Sequence, residues 1–239
     1  MIKGAGIWVF GTHNDHNELR HVVYLFQDNC GSFNVLAGKR EKKDLLKNVK
    51  PSEYKDEIEY KNTAIREAFE ESCGMFKFDV NSLNSVCSVN MKCKNGLYVM
   101  YSIFLDNIID VKIYYNNKNI IIKKYLEEKD YLKNNKKSKK NNRYTKFLET
   151  VNISAFYLDD FKNKKIDSLR NTNGKLCKIA KRAVEAITSF MEYDVYYMNR
   201  KTVQLSIDSE NNPYYAVVNQ NNVDNIDINI DNIRNYIDQ

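Results

Sequence analysis

Three glutamates, Glu67, Glu70 and Glu71, fall at i, i+3 and i+4 within Thr63-Ala64-Ile65-Arg66-Glu67-Ala68-Phe69-Glu70-Glu71-Ser72-Cys73-Gly74. At about 100° per residue they share one face of a helix, while Ala64, Ile65, Ala68, Phe69 and Ser72 lie on a face suited to packing on a sheet. Like charges at these spacings repel and weaken a helix. The arrangement therefore calls either for a positive charge among the carboxylates or for open water around them. Hard divalent cations take carboxylate and water oxygens, so Mg²⁺ or Mn²⁺ suits such a face. A solvated acidic face is the ordinary alternative, and the neighbouring sequence decides between the two.

Arg66-Glu67-Ala68-Phe69-Glu70-Glu71 reads R-E-apolar-x-E-E and is followed by Gly74. Upstream, Gly38 ends the apolar run Asn34-Val35-Leu36-Ala37 and leads into Lys39-Arg40-Glu41. Together these resemble the signature of the Nudix hydrolases, Gly-x5-Glu-x7-Arg-Glu-apolar-x-Glu-Glu-x-Gly-apolar. The chain departs from it twice. Positions 39 to 65 separate Gly38 from Arg66, an insertion of fourteen relative to the signature. Counting back from Arg66 puts the upstream motif Glu at Ile58, which is flanked by Glu57 and Glu59, and either can pair with Arg66. Position 73, glycine in the signature, is Cys73, with Gly74 one residue late. A helix running one residue further before a left-handed glycine cap accounts for that.

The resemblance implies a Nudix-type α/β/α sandwich with a mixed sheet. It places the domain at 1–192, with insertions at about 41–60 and 106–146 and a C-terminal extension, 193–239, packed on it. It also implies cleavage of a diphosphate linkage in a nucleoside diphosphate derivative. Glu67, Glu70, Glu71 and the Gly38 carbonyl would hold Mg²⁺ or Mn²⁺, and Arg66 would orient a Glu. The segment from Lys146 to Phe161 resembles the later Nudix stretch in which a Glu before a strand binds metal or acts as general base. Glu149 is the match there, and Glu127 and Glu128 are alternatives. Lys39 and Arg40 are candidates to reach phosphate oxygens. The family's substrates run from nucleotide sugars, ADP-ribose and dinucleoside polyphosphates to capped RNA, and the motif does not choose among them. The expectations are mRNA decapping, hydrolysis of a small nucleotide, or a binding module without turnover. The intact carboxylates rank the enzymes first.

The elements that must position these residues follow from pattern. Strands are expected at 4–12, 20–27, 32–37, 83–89 and 97–105, the last two joined at Lys94-Asn95-Gly96. A helix is expected to start near Pro51 and run into the glutamate face. Others are expected around residues 114–126 and over Gly174–Tyr193. A hairpin is expected from 203–207 and 214–218. In the tail, Ile226, Ile230, Ile233 and Ile237 fit a helical stripe, whereas Ile226, Ile228 and Ile230 alternate as in a strand. The polar stretch Gly11–Glu18 reads as a turn, and its His13, Asp15 and His16 as hairpin polarity, not a metal site.

The 239 residues, 43% hydrophobic, are enough for one sizeable core. No apolar run approaches the length of a membrane span, and the N-terminus reads as a strand, not a signal peptide. Five cysteines without a C-x-x-C pair imply free thiols and a reducing, cytoplasmic setting. The net charge of +6 fits a polyanionic partner such as RNA. Much of the excess comes from a run containing Lys136, Lys137, Lys139, Lys140 and Arg143, which reads first as a solvated loop.

Overall fold

A strand that is apolar on both faces belongs inside a sheet covered on both sides, and Ile2–Asp15 (β1) is such a strand. In the computed structural model Ala5, Ile7 and Val9 enter one core, while Trp8 and Phe10 enter the other. The structure describes residues 2–46, 53–83, 88–93, 96–105, 109–134, 142–162, 166–191, 200–201 and 203–217. After β1 come β2 (Glu18–Asp28), β3 (Phe33–Asn34), β4 (Leu36–Lys39) and α1 (Glu53–Glu71). Next are β5 (Ser88–Cys93), β6 (Gly96–Leu105), α2 (Lys112–Asn134) and β7 (Thr150–Tyr157). The last are β8 (Ser168–Arg170), β9 (Leu176–Lys178), α3 (Lys181–Met191), β10 (Arg200–Lys201), β11 (Val203–Ile207) and β12 (Pro213–Val217).

The fold is mixed α/β. The large sheet runs β10-β6-β1-β2-β3, with β4 on β1, β5 on β6 and β7 on β2. β6 is parallel to β1 and β10, whereas β1 meets β2 and β4 antiparallel. Ala64 and Ala68 of α1, with Ile113 and Tyr114 of α2, share the core on one face. Ala183, Val184, Ile187 and Phe190 of α3 fill the core on the other. There Phe190 stacks on Phe10 at 4.6 Å and meets the single tryptophan, Trp8, edge-on at 5.2 Å. Each fully buried side chain of this size contributes on the order of 2 kcal/mol.

The sheet opens beside the glutamate face of α1. β1 pairs with β2 only from Val9↔Tyr24 to the tip at Asp15↔Glu18. Below Val9 the two strands part, and the following chain fills the gap. β3 pairs with Phe26 and Gln27 of β2, and β4 pairs with Gly4–Ile7 of β1, setting Gly38 opposite Ala5. The carboxylate helix α1 packs beside this opening.

Three local expectations change. The first hairpin has no long polar loop: His16 and Asn17 both take positive φ (48° and 72°), which closes a two-residue turn matched to strand twist. His13 lies edge-on to Tyr157 and His16 is 3.8 Å from Asp15, both at the sheet end remote from Gly38. The helix expected over Gly174–Tyr193 begins only at Lys181. Asn171 Oδ1 accepts from the Asn173 and Lys175 amides, and Gly174 takes φ +77°, so a hairpin of β8 and β9 precedes it. The strand expected over 83–89 is described only from Ser88, and Asn81–Leu83 is a 3-10 turn.

The expected second hairpin is β11–β12. Its Tyr215 amide donates to Met75 O at 2.7 Å, and its carbonyl accepts from Lys77 N at 3.1 Å, just after α1. Lys136, Lys137, Lys139, Lys140, Pro51 and the tail isoleucines lie outside the described residues. No described helix is long and apolar enough to cross a membrane.

Candidate active site

Arg66 is the centre of the carboxylate cluster. Its side chain is 3% exposed, and a guanidinium that far from water must be paired. Asp44, fully buried, meets it as a fork: Arg66 Nε donates to Oδ1 at 2.8 Å and Nη2 to Oδ2 at 3.0 Å. Nη2 also donates to the Lys39 carbonyl at 2.9 Å. Nη1 lies 2.7 Å from Glu67 and 2.9 Å from Glu70. Burial opposes charge on both members of the fork. Hydrogen bonds and the neighbouring opposite charges together outweigh it, holding the Asp44 carboxyl below the usual carboxylate range and raising the Arg66 pKa.

This corrects the expected partner. Glu57 pairs with Lys61, while Glu59 accepts from Arg40 at 3.0 Å and from the Leu46 amide at 3.0 Å. Asp44 holds Arg66 instead. It stands where a count of Gly-x5 forward from Gly38 arrives, so the signature's acid is kept as an aspartate. The extra residues therefore lie between Asp44 and Arg66. Thr63 and the Glu41 amide also donate to Asp44, which joins the loop after β4 to the middle of α1.

The three helix glutamates have separate environments. Glu67 packs against Gly38, where an added Cβ would stand 2.1 Å from its carboxyl carbon, so any side chain at 38 would push the Glu67 carboxylate aside. Burial, against the pull of Arg66, pushes Glu67 up to about 7. Glu70 accepts from Arg66 and, at 2.9 Å, from Lys43. Glu71 turns to the sheet and accepts the Ala37 amide at 2.9 Å. Burial and the nearby Glu67 charge raise it well above the ordinary range. The Gly38 carbonyl lies against Gly4, where an added Cβ would meet it at 2.1 Å.

α1 ends at Glu71, not one residue later. Cys73 (φ +54°) and Gly74 (φ +74°) are both left-handed, so a cysteine adopts the conformation of the signature's glycine. The Cys73 thiol donates to the Phe147 carbonyl at 3.2 Å, and Phe147 packs edge-on against Phe69 at 5.5 Å. These contacts seat the 3-10 turn Thr145–Leu148 on α1 and bring Glu149 alongside. Burial and the charges of Glu70 and Glu41 raise the Glu149 pKa. Glu128 holds Arg143, accepting its amide at 2.9 Å and lying 3.4 Å from its side chain, and Glu127 is exposed on the same helix.

Lys39 is exposed and serves Arg66 through its carbonyl. Arg40 binds Glu59, lies 3.7 Å from Asp56 and covers the Tyr60 ring at 5.3 Å. Asp44, Glu41, Lys43 and Lys146 are residues that sequence reasoning missed. Only Asp44 carried a signal, its distance from Gly38.

Carboxylate oxygens held together, with two of the groups raised by burial, are the donor set of a site for a hard cation. Among the described residues no three acidic, His or Cys side chains already converge on one point. Glu67 and Glu70 close on Arg66, and Glu71 closes on Ala37. A divalent cation would compete with Arg66 for the first two, while Asp44 and the Lys39 carbonyl would keep the guanidinium paired.

No family model and no curated protein matches the chain. Among solved structures it is similar to the NUDIX domain of Shewanella oneidensis NrtR, complexed with ADP-ribose. The two are 10% identical, with a TM-score of 0.38 over 81% of this chain and 88% of that one. At that distance the likeness assigns no function, and a functional reading has to stand on the chain's own residues.

Asp44→Asn is expected to lower unfolding free energy in urea by about 3 kcal/mol, the scale of a broken buried ion pair. Glu57→Gln should change it by less than about 0.5 kcal/mol. Equal losses would mean that Arg66 does not depend on Asp44. pH gives a second expectation. Raised carboxyl pKa values stabilise the metal-free fold fully below the ordinary Glu value, and that contribution is lost as pH rises through about 7 for Glu67. A cation binds the ionised form. The rise in melting temperature with Mn²⁺ should therefore be larger at pH 8 than at pH 5.5, with proton release on binding near pH 6; an equal rise at both pH values would place the metal elsewhere.

Proposed function

We propose that this chain is a metal-dependent hydrolase of the Nudix type that cleaves the diphosphate linkage of a nucleoside-diphosphate-linked substrate. One observation carries the reading. Asp44, at the signature's distance from Gly38, forks onto Arg66, whose remaining edge meets Glu67 and Glu70, while Glu71 follows on the same helix against the Ala37 amide. Two distant parts of the pattern, read with its insertion removed, thus meet in space. The resemblance extends the reading to a Nudix-type α/β/α sandwich, and helices on both faces of the sheet support it.

Glu67, Glu70 and Glu71 would hold Mg²⁺ or Mn²⁺, with the Gly38 carbonyl as a further ligand. Once bound, such a cation polarises phosphoryl oxygens, makes water a better nucleophile and neutralises charge on the leaving group. The protein's part is positioning. Arg66, fixed by Asp44, sets Glu67 and Glu70, the Ala37 amide sets Glu71, and Gly38 leaves room for Glu67. Glu149, whose carboxyl pKa is held above the ordinary range by burial and the Glu70 and Glu41 charges, is suited to take the proton of the attacking water.

Within the substrate class we place capped RNA first, because the net charge of +6 and the lysine run suit a long polyanion. Free thiols at Cys30, Cys73 and Cys177 support a cytoplasmic setting. The test is product analysis with Mn²⁺ on capped RNA, free cap analogue, ADP-ribose, a dinucleoside polyphosphate and nucleoside triphosphates. Wild type should release a methylated guanosine diphosphate from capped RNA, and Glu70→Gln should cut turnover by at least about a hundredfold. Cleavage confined to the small nucleotides would make the chain a nucleotide pyrophosphohydrolase. Wild type matching Glu70→Gln on every substrate would leave a binding module.

A further inference from the structure

One carboxylate at the edge of the cluster is shared by two ammonium groups from distant parts of the chain. Glu41, in the loop after β4, pairs through Oε1 with Lys146, which stands in the 3-10 turn before Glu149. Its Oε2 lies 4.0 Å from Lys43 Nζ, and its Oε1 is also 3.8 Å from Arg66 Nη1. Lys43 also reaches Glu70 at 2.9 Å, and the Lys146 charge is felt by Glu67 and Glu149. The two lysines thus stand together at one edge of the carboxylate cluster, with an anion of the protein between them.

The bridge is not needed to place either backbone. The Glu41 amide is held by Asp44 at 2.7 Å, and Lys146 sits beside Phe147, which is packed on Phe69. The side chains of Lys43, Lys146 and Glu41 are 37%, 38% and 39% exposed, so incoming solute can reach all three. Ion pairs this open contribute little to stability. A diphosphate offers more negative charge and more acceptor oxygens than one carboxylate, so it is the stronger partner for two ammonium groups.

We propose that Lys43 and Lys146 are the diphosphate-binding residues of this site and that Glu41 is an internal stand-in which the substrate's diphosphate displaces. Arg40 is thereby relieved of that role, being engaged by Glu59, Asp56 and Tyr60. The assignment rests on the hydrolase reading and adds to it which cations meet the phosphoryl groups. Glu41 keeps the two ammonium groups near each other before substrate arrives and screens them from weaker anions. Binding then exchanges one ion pair for another.

The test is binding of methylenediphosphonate, a diphosphate mimic with an uncleavable bridge, to the full chain with Mg²⁺ by calorimetry. Lys43→Gln and Lys146→Gln should each weaken binding about tenfold, the lower end of a charged hydrogen bond's worth. Each should also flatten the salt dependence, because these contacts are open to screening. Glu41→Gln should tighten binding about threefold or more by removing the competitor, and Glu41→Gln with Lys146→Gln should lose that gain. Melting curves check that the variants fold. Unchanged affinity in both lysine variants, with Mg²⁺-dependent binding lost in Glu70→Gln, would overturn the assignment and leave the metal site standing. No binding by the wild type would overturn both.

Discussion

The site depends on the charge of one buried guanidinium. Arg66 cannot lose its proton at any working pH, and burying it unpaired would cost several kcal/mol. Asp44 meets that need with a two-point fork, which fixes the guanidinium plane. The remaining Nη1 edge then faces Glu67 and Glu70. The Asp44–Arg66 pair therefore ties the loop after β4 to α1, alongside Arg40–Glu59 and Lys43–Glu70, and keeps acids that repel each other on one helix face.

The opening of the sheet makes this arrangement possible. Because β1 and β2 part below Val9, β4 can enter between them and bring Gly38 against Glu67 and the Ala37 amide against Glu71. The insertion between Asp44 and Arg66 leaves these contacts in place. Much of the added length is taken up by the first turns of α1, which begins at Glu53, and contacts along those turns anchor it to the loop after β4. Glu59 and Asn62 supply some of that anchoring, Glu59 through the Leu46 amide and Asn62 through the Asp44 carbonyl at 3.2 Å.

How much could be read in the sequence depends on the range of each interaction. The helix and its glutamate face were legible because 3.6-residue periodicity is local, and β1 and β6 because their apolar runs are continuous. Asp44 lies at the signature's distance forward from Gly38, but the insertion hides it from the Arg66 side of the motif. The α3 boundary was missed because Leu176 continues the apolar spacing of the helix, whereas Asn171 and Gly174 carry the chemistry of a turn. Lys146 and Glu41 are 105 positions apart. No pattern along the chain announces such a pair; it exists only once Phe147 has docked on Phe69. The contacts of Arg40 with Glu59 and Tyr60 were hidden in the same way, so a cation next to the motif glycine looked available for phosphate.

The most direct measurement of the central claim is anomalous diffraction from crystals of the full chain grown with Mn²⁺. A peak bounded by the carboxylates of Glu67, Glu70 and Glu71, with Arg66 still forked on Asp44, is the predicted result. A strong peak at another site, or none at a Mn²⁺ concentration that shifts the melting temperature, would contradict it. In that event the acidic face of α1 would be a charged surface balanced by Arg66 and Lys43, and the hydrolase reading would fall with it.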